Sequence, residues 1–142
     1  MFIILLSLIY NIQSKISSAY PKIDVVKPLY KVYKIDSINN FYIIYAKRER
    51  VIYKIVSKKW PLNNCKPIVI NIEYAFKLKS RNQTRLLSGI NLSAEALDRI
   101  NCFYYDDTTF ICLERDSIND LHSAQNLRGL CFLGCDTTAQ KQ

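Results

Sequence analysis

The sequence predicts a mainly β protein with short helices, folded as a small antiparallel sheet or a partly open barrel. Three observations carry that expectation. Residues 68–79 alternate strictly, with Ile68, Ile70, Ile72, Tyr74, Phe76 and Leu78 on one side. Val69, Asn71, Glu73, Ala75, Lys77 and Lys79 fall on the other. A period of two is what a half-buried strand requires, whereas helical winding would scatter the same apolar groups round a cylinder. Upstream, apolar runs at 29–35, 41–46 and 51–56 are separated by short polar segments, the pattern of an antiparallel meander. Finally, the chain holds 10 Tyr but only 3 Gly and 4 Pro, and Tyr, like the abundant Ile, favours pleated, half-buried surfaces.

The 142 residues suit one domain with a modest core, expected over 20–135. Ahead of it, the apolar run Met1-Phe-Ile-Ile-Leu-Leu-Ser-Leu-Ile-Tyr10 is too short for a stable membrane anchor, which needs about 20 residues. Its length suits the apolar part of a secretory signal, and Ser17, Ser18 and Ala19 place small residues where cleavage would fall. No Lys or Arg precedes the run, and no Cys follows it closely. Although the missing basic residues argue the other way, 1–19 are read as a signal peptide, the alternative being a core strand or helix; a lipid-modified cysteine has no support.

After a lead-in interrupted by Pro21 and Pro28, the first strand occupies 29–35. Residues 37–40 are turn chemistry, because Asn tolerates left-handed geometry. Residues 41–46 are apolar on both faces and belong in the middle of a sheet. Lys47, Arg48, Glu49 and Arg50 form a charged hairpin tip, from which 51–56 returns. Trp60, Pro61, Asn63 and Asn64 make a loop into the alternating stretch, which Asn71 is placed to bend into two shorter strands. Residues 80–89 read as an exposed loop. Ser93 is positioned to cap a helix over 94–100. Residues 102–113 read as a hairpin turning near Asp107. Ser117 with Asp120 resembles a capping box, and Ile118, Leu121 and Ala124 share a helical face, so a second helix is expected, stopped by Gly129. Residues 130–133 form a last short strand, and 136–142 a disordered tail. Three meandering strands followed by a long fourth are compatible, by strand count alone, with an oligonucleotide/oligosaccharide-binding (OB) type of barrel.

Five cysteines stand at 65, 102, 112, 131 and 135. Folding the hairpin about Asp107 sets Cys102 opposite Cys112, within bridging reach, and Cys65 with Cys131 is the second expected pair. That leaves Cys135 over. Zinc would want further short Cys pairs, and the chain has one His, His122, expected on a helix surface.

Net charge is +8, unevenly spread. Residues 20–90 carry 15 basic against 4 acidic groups, and residues 91–142 carry 4 against 8. The basic half offers Lys47, Arg48, Arg50 and Lys54 as a candidate binding patch. Interleaved with Tyr42, Tyr45, Tyr53, Tyr74, Phe76, Tyr104 and Tyr105, it has the ingredients of a single-stranded nucleic-acid surface. Asp106 and Asp107 sit on a turn, where Asp serves the backbone, and no signature surrounds any nucleophile or phosphate loop. No catalytic, metal or cofactor site is expected.

The run Tyr30-Lys-Val-Tyr-Lys-Ile-Asp-Ser-Ile-Asn-Asn-Phe-Tyr-Ile-Ile-Tyr-Ala-Lys, with Tyr53-Lys-Ile-Val-Ser-Lys-Lys59, resembles a group of small exported or lipoprotein-like proteins of Bacteroidetes gut bacteria. Asp116-Ser-Ile-Asn-Asp-Leu121 and Asn126-Leu-Arg-Gly-Leu-Cys-Phe132 resemble that group's C-terminal part. No activity attaches to the group, so no functional residue carries over; the resemblance implies an envelope location. The expected function is thus a non-enzymatic, exported binding or structural module of the cell envelope, its partner an envelope protein or polysaccharide. The alternative is an intracellular OB-like module that binds single-stranded nucleic acid through its basic hairpin.

Overall fold

Turn residues set the meander. In the computed structural model, which describes residues 26–61, 64–83, 89, 93, 95 and 101–134, Asn39 and Glu49 adopt left-handed backbone angles, φ 46° and 56°. These two tight turns join β1 (Tyr30–Ile38), β2 (Phe41–Arg48) and β3 (Val51–Lys58) into consecutive antiparallel pairs. Each strand runs past its predicted apolar stretch into flanking polar residues, because the ladder continues wherever backbone partners remain. The expected signal at 1–19, the tail at 136–142 and all but Glu95 of the helix at 94–100 lie outside the described residues.

The alternating stretch is one path but two strands. Its first part, β4 (Glu73–Tyr74), pairs with β1, and its last part, β5 (Leu78–Ser80), pairs with β8 (Leu121–Ala124). Asn71, at φ 70°, takes the chain off the pleat, so Ile70 and Ile72 are exposed rather than inward-facing. The inward expectation holds for Ile68, Tyr74 and Phe76, all buried. Asn126 repairs the second break. Its Oδ1 accepts the Lys77 amide at 2.8 Å and its Nδ2 donates to the Ala75 carbonyl at 2.9 Å. Backbone groups that leave the ladder there are thereby satisfied.

The order of the main sheet is β4-β1-β2-β3-β8-β5. Its two outermost members are joined by the three residues 75–77. A flat sheet of that order would hold its edges about 24 Å apart, at ~4.8 Å per strand. The chain from Tyr74 to Leu78 reaches at most about 14 Å. The sheet must therefore curl, and it does so as a half-barrel. With 71–80 counted as one interrupted strand, its connectivity is that of an OB-type barrel. One feature departs from the expected antiparallel sheet: β3 and β8 pair in parallel, Lys54 opposite Leu121 and Ile55 opposite His122.

The second expected helix is also corrected. Residues 121–124 are strand β8, followed by a turn and the small pair β9 (Leu127–Arg128) and β10 (Cys131–Phe132). The spacing of Ile118, Leu121 and Ala124 suits a helix, but the open edges of β3 and β5 recruit the segment between them. Asp120 caps no helix of its own; it accepts from Ser80 and Asn82 instead.

Two apolar layers result. Val32, Ile44, Ala46, Ile55, Tyr74 and Phe76 fill the inside of the curl. On the outer side of β2 and β3, Phe41, Ile43, Tyr45 and Val56 pack under the hairpin β6 (Cys102–Asp106) and β7 (Thr109–Cys112), chiefly through Phe103 and Ile111. So β2, apolar on both faces, is central as expected. The structure joins Cys102 to Cys112, direct cross-strand partners, and Cys65 to Cys131 across 66 residues. Among the described residues no helix is long and apolar enough to cross a membrane.

Candidate functional site

A cleft of about 160 Å³ opens where β5 ends against β8, lined by Lys79, Ser80, Arg81, Tyr105, His122 and Ser123. Ser80 organises it. After β5 residues 81–83 are helical, and Ser80 is their N-cap, its Oγ accepting the Gln83 amide at 3.1 Å. The Ser80 hydroxyl donates in turn to Asp120 Oδ2, and Asp120 Oδ1 accepts the Asn82 amide at 3.2 Å. One carboxylate thus fastens the turn to the start of β8.

His122 lies directly across from Ser80 in the ladder. Its Nε2 stands 3.8 Å from Asp120 Oδ2, and its ring meets Tyr53 edge-on at 5.3 Å. Its Nδ1 is buried with no hydrogen-bond partner among the described residues. Adding a proton there would bury an unsatisfied charged donor. Burial accordingly pushes the imidazole below its ordinary pKa, with Asp120 opposing in part, and the ring is neutral at pH 7. Although Ser, Asp and His meet here, the contacts are not those of an activated nucleophile. The hydroxyl is committed to the carboxylate, and the imidazole faces that same carboxylate oxygen.

The far wall is Tyr105, edge-on to Phe41 at 5.3 Å, with the Arg81 guanidinium 5.2 Å from the centre of its ring. Burial pushes the Tyr105 hydroxyl up to about 12, so it remains a protonated donor. Arg81 reaches the Tyr104 carbonyl at 3.4 Å, and neither Arg81 nor Lys79 has a carboxylate partner among the described residues. The space is below the roughly 300–1,000 Å³ of a drug-sized ligand site, but it holds a small ion or the end of a larger molecule.

Lys47, Arg48 and Arg50 are together and exposed at the β2–β3 tip, with Arg48 5.9 Å above the Tyr30 ring. Lys54 is not with them. It is 6% exposed on the outer side of β3, where Nζ donates to Glu114 Oε1 at 2.8 Å and to the Cys112 carbonyl at 2.9 Å. Tyr45 donates to the same carboxylate oxygen at 2.7 Å. This knot ties the hairpin to the sheet. Its two hydrogen bonds hold the Glu114 carboxyl below its usual range, while burial and the nearby carboxylate push the Tyr45 hydroxyl well up.

The cleft was missed because its parts are spread over 40 residues. One local signal was available: Ser80 followed by Gln83 is a capping-box spacing and marks the helical turn. Asp106 proves to be a turn residue, its carboxylate accepting the Thr108 amide at 3.0 Å. Among the described residues no group of three His, Cys, Asp or Glu side chains could hold a metal ion. Comparison of the chain with protein-family models, curated proteins and solved structures gives no match.

Proposed function

We propose that the chain is an exported, non-enzymatic binding module of the bacterial cell envelope. The observation that carries this reading is the pair of disulfides, Cys65 with Cys131 and Cys102 with Cys112. Such bridges form and persist in oxidising compartments, and they supply stability that a domain of this size gains slowly from burial alone. The apolar run at 1–10, with small residues at 17–19, supports passage through a membrane. Partners are recognised through polar surface, either the basic tip or the cleft beside Arg81.

The nucleic-acid alternative finds less support. OB-type barrels bind single strands on the face of their second and third strands. Here the outward residues of β2 and β3 lie under the β6–β7 hairpin. Of the aromatic residues in the supposed stacking platform, Tyr45, Tyr74 and Phe76 are core, and Lys54 is withdrawn from the basic patch. Tyr104 is open, on the hairpin rather than beside the basic tip.

Fractionation of the native host with intact-mass measurement tests the proposal. A chain beginning at Tyr20 in the envelope or medium is expected. A soluble cytoplasmic chain retaining Met1 would overturn it.

A further inference from the structure

The cleft at the end of β5 is rich in donors and poor in acceptors. Lys79 and Arg81 bring two cations without carboxylate partners among the described residues, Tyr105 a protonated hydroxyl, and Ser123 a further hydroxyl. Asp120, the acidic group held against Ser80 and His122 behind the lining, is already engaged by the Ser80 hydroxyl and by the Asn82 amide. Its remaining neighbour is His122, at 3.8 Å. Among the described residues the local balance is two positive charges against one negative, because His122 is neutral. A metal ion would need several acidic or imidazole ligands converging, which this wall does not offer. An apolar ligand would give no acceptor to the ammonium, the hydroxyls or the guanidinium N–H groups that the Tyr104 carbonyl leaves over.

We infer that this cleft binds a tetrahedral oxyanion, a phosphate or sulfate group, through Arg81, Lys79, Tyr105 and Ser123. The planar guanidinium supplies paired donors that match two oxygens of such a group, and its stacking on Tyr105 fixes its plane in advance. The ammonium of Lys79 adds a mobile point charge at the rim. Tyr105 and Ser123 contribute neutral donors to the remaining oxygens. A cleft of about 160 Å³ has room for one such group and for part of a molecule that carries it, so a larger ligand can enter by its anionic end. The inference goes beyond the envelope-module reading and holds in any compartment.

Because the chain has a single His, its two carbon-bound ring protons give signals that can belong to no other residue's imidazole and report on the cleft wall. The test titrates the full chain, disulfides intact, with inorganic phosphate, holding ionic strength constant with sodium chloride. A saturable shift of the His122 ring signal is expected, absent with chloride alone. Arg81→Gln should weaken binding on the order of tenfold, the loss of a charge-assisted contact. Arg81→Lys should recover part of that loss. Tyr105→Phe, which keeps the ring against Phe41, should weaken binding several-fold. Amide dispersion of each variant confirms its fold. A phosphorylated monosaccharide saturating at lower concentration would assign the site to an anionic end group, and phosphate saturating first would assign it to the free ion. A shift that stays linear in phosphate, or an Arg81→Gln protein that binds as the parent does, would overturn the inference.

Discussion

The two faces of β2 are covered in different ways. Inside the curl, the layer around Ile44 and Ala46 draws on residues from Tyr30 to Leu127, so it closes only when distant parts of the chain meet. Outside, the layer around Phe41, Ile43 and Tyr45 is covered largely by one local unit, the hairpin carrying Phe103 and Ile111. A disulfide spanning 66 residues ends at Cys131, beside the Phe132 that packs on the inner layer, and one spanning 10 joins the two strands of the outer hairpin. The outer layer also has a polar knot, with the Lys54 ammonium gripping Glu114 and the Cys112 carbonyl. A long-range layer is thus secured by a bond that limits the unfolded chain, whereas a local cover must also be fastened down. Loop-closure entropy rises with the span bridged, which is why the long tie is worth more.

Breaking the ties in turn tests that contrast. Replacing Cys65 and Cys131 together by Ser should cost about 4 kcal/mol, the loop-entropy value for so long a span. The same exchange at Cys102 and Cys112 should cost about 3 kcal/mol. Denaturant unfolding of the two double variants measures both, and equal losses would erase the distinction. Lys54→Met removes the knot's cation and leaves the Cys112 carbonyl without that donor. A loss of about 1–3 kcal/mol is expected, with proteolysis starting in the hairpin. Gly129→Ala probes the inner side. The backbone there has φ 56°, and an added Cβ would stand 3.1 Å from the Trp60 amide nitrogen. About 1–2 kcal/mol should be lost by thermal unfolding.

The smallest effect is in pH. Glu114 is held below its ordinary pKa of 4.5 in the folded protein, first by Lys54 and then by Tyr45. Its contribution is therefore complete above about pH 5 and is lost as pH falls through the depressed folded value. Glu114 is half-exposed, so solvent screening keeps that contribution small. Melting temperature should fall less steeply with acid in Glu114→Gln than in the parent. An unchanged slope would remove the knot from the account.

Much of the architecture was legible because it is local. The meander follows from three apolar runs and from turn residues such as Asn39 that accept left-handed angles. The pair Cys102 and Cys112 followed from folding a hairpin about Asp107, whereas Cys65 with Cys131 was one choice among the three cysteines left. Non-local choices were not legible. Whether Ile118, Leu121 and Ala124 wind into a helix or extend as β8 is decided by open strand edges more than 35 residues away in sequence. Strict alternation through Ile70 and Ile72 hid the departure at Asn71. Lys54 looks like any surface lysine until Glu114, 60 residues on, is placed beside it. The cleft is the same kind of object, since Ser80, Tyr105 and His122 share no local pattern.

The account stands most directly on which cysteines are joined. Protein purified from its native host, alkylated without reduction and digested, should yield one peptide pair linked through Cys65 and Cys131 and another through Cys102 and Cys112. Alkylated thiols at those four positions, or bridges crossing between the two pairs, would contradict it.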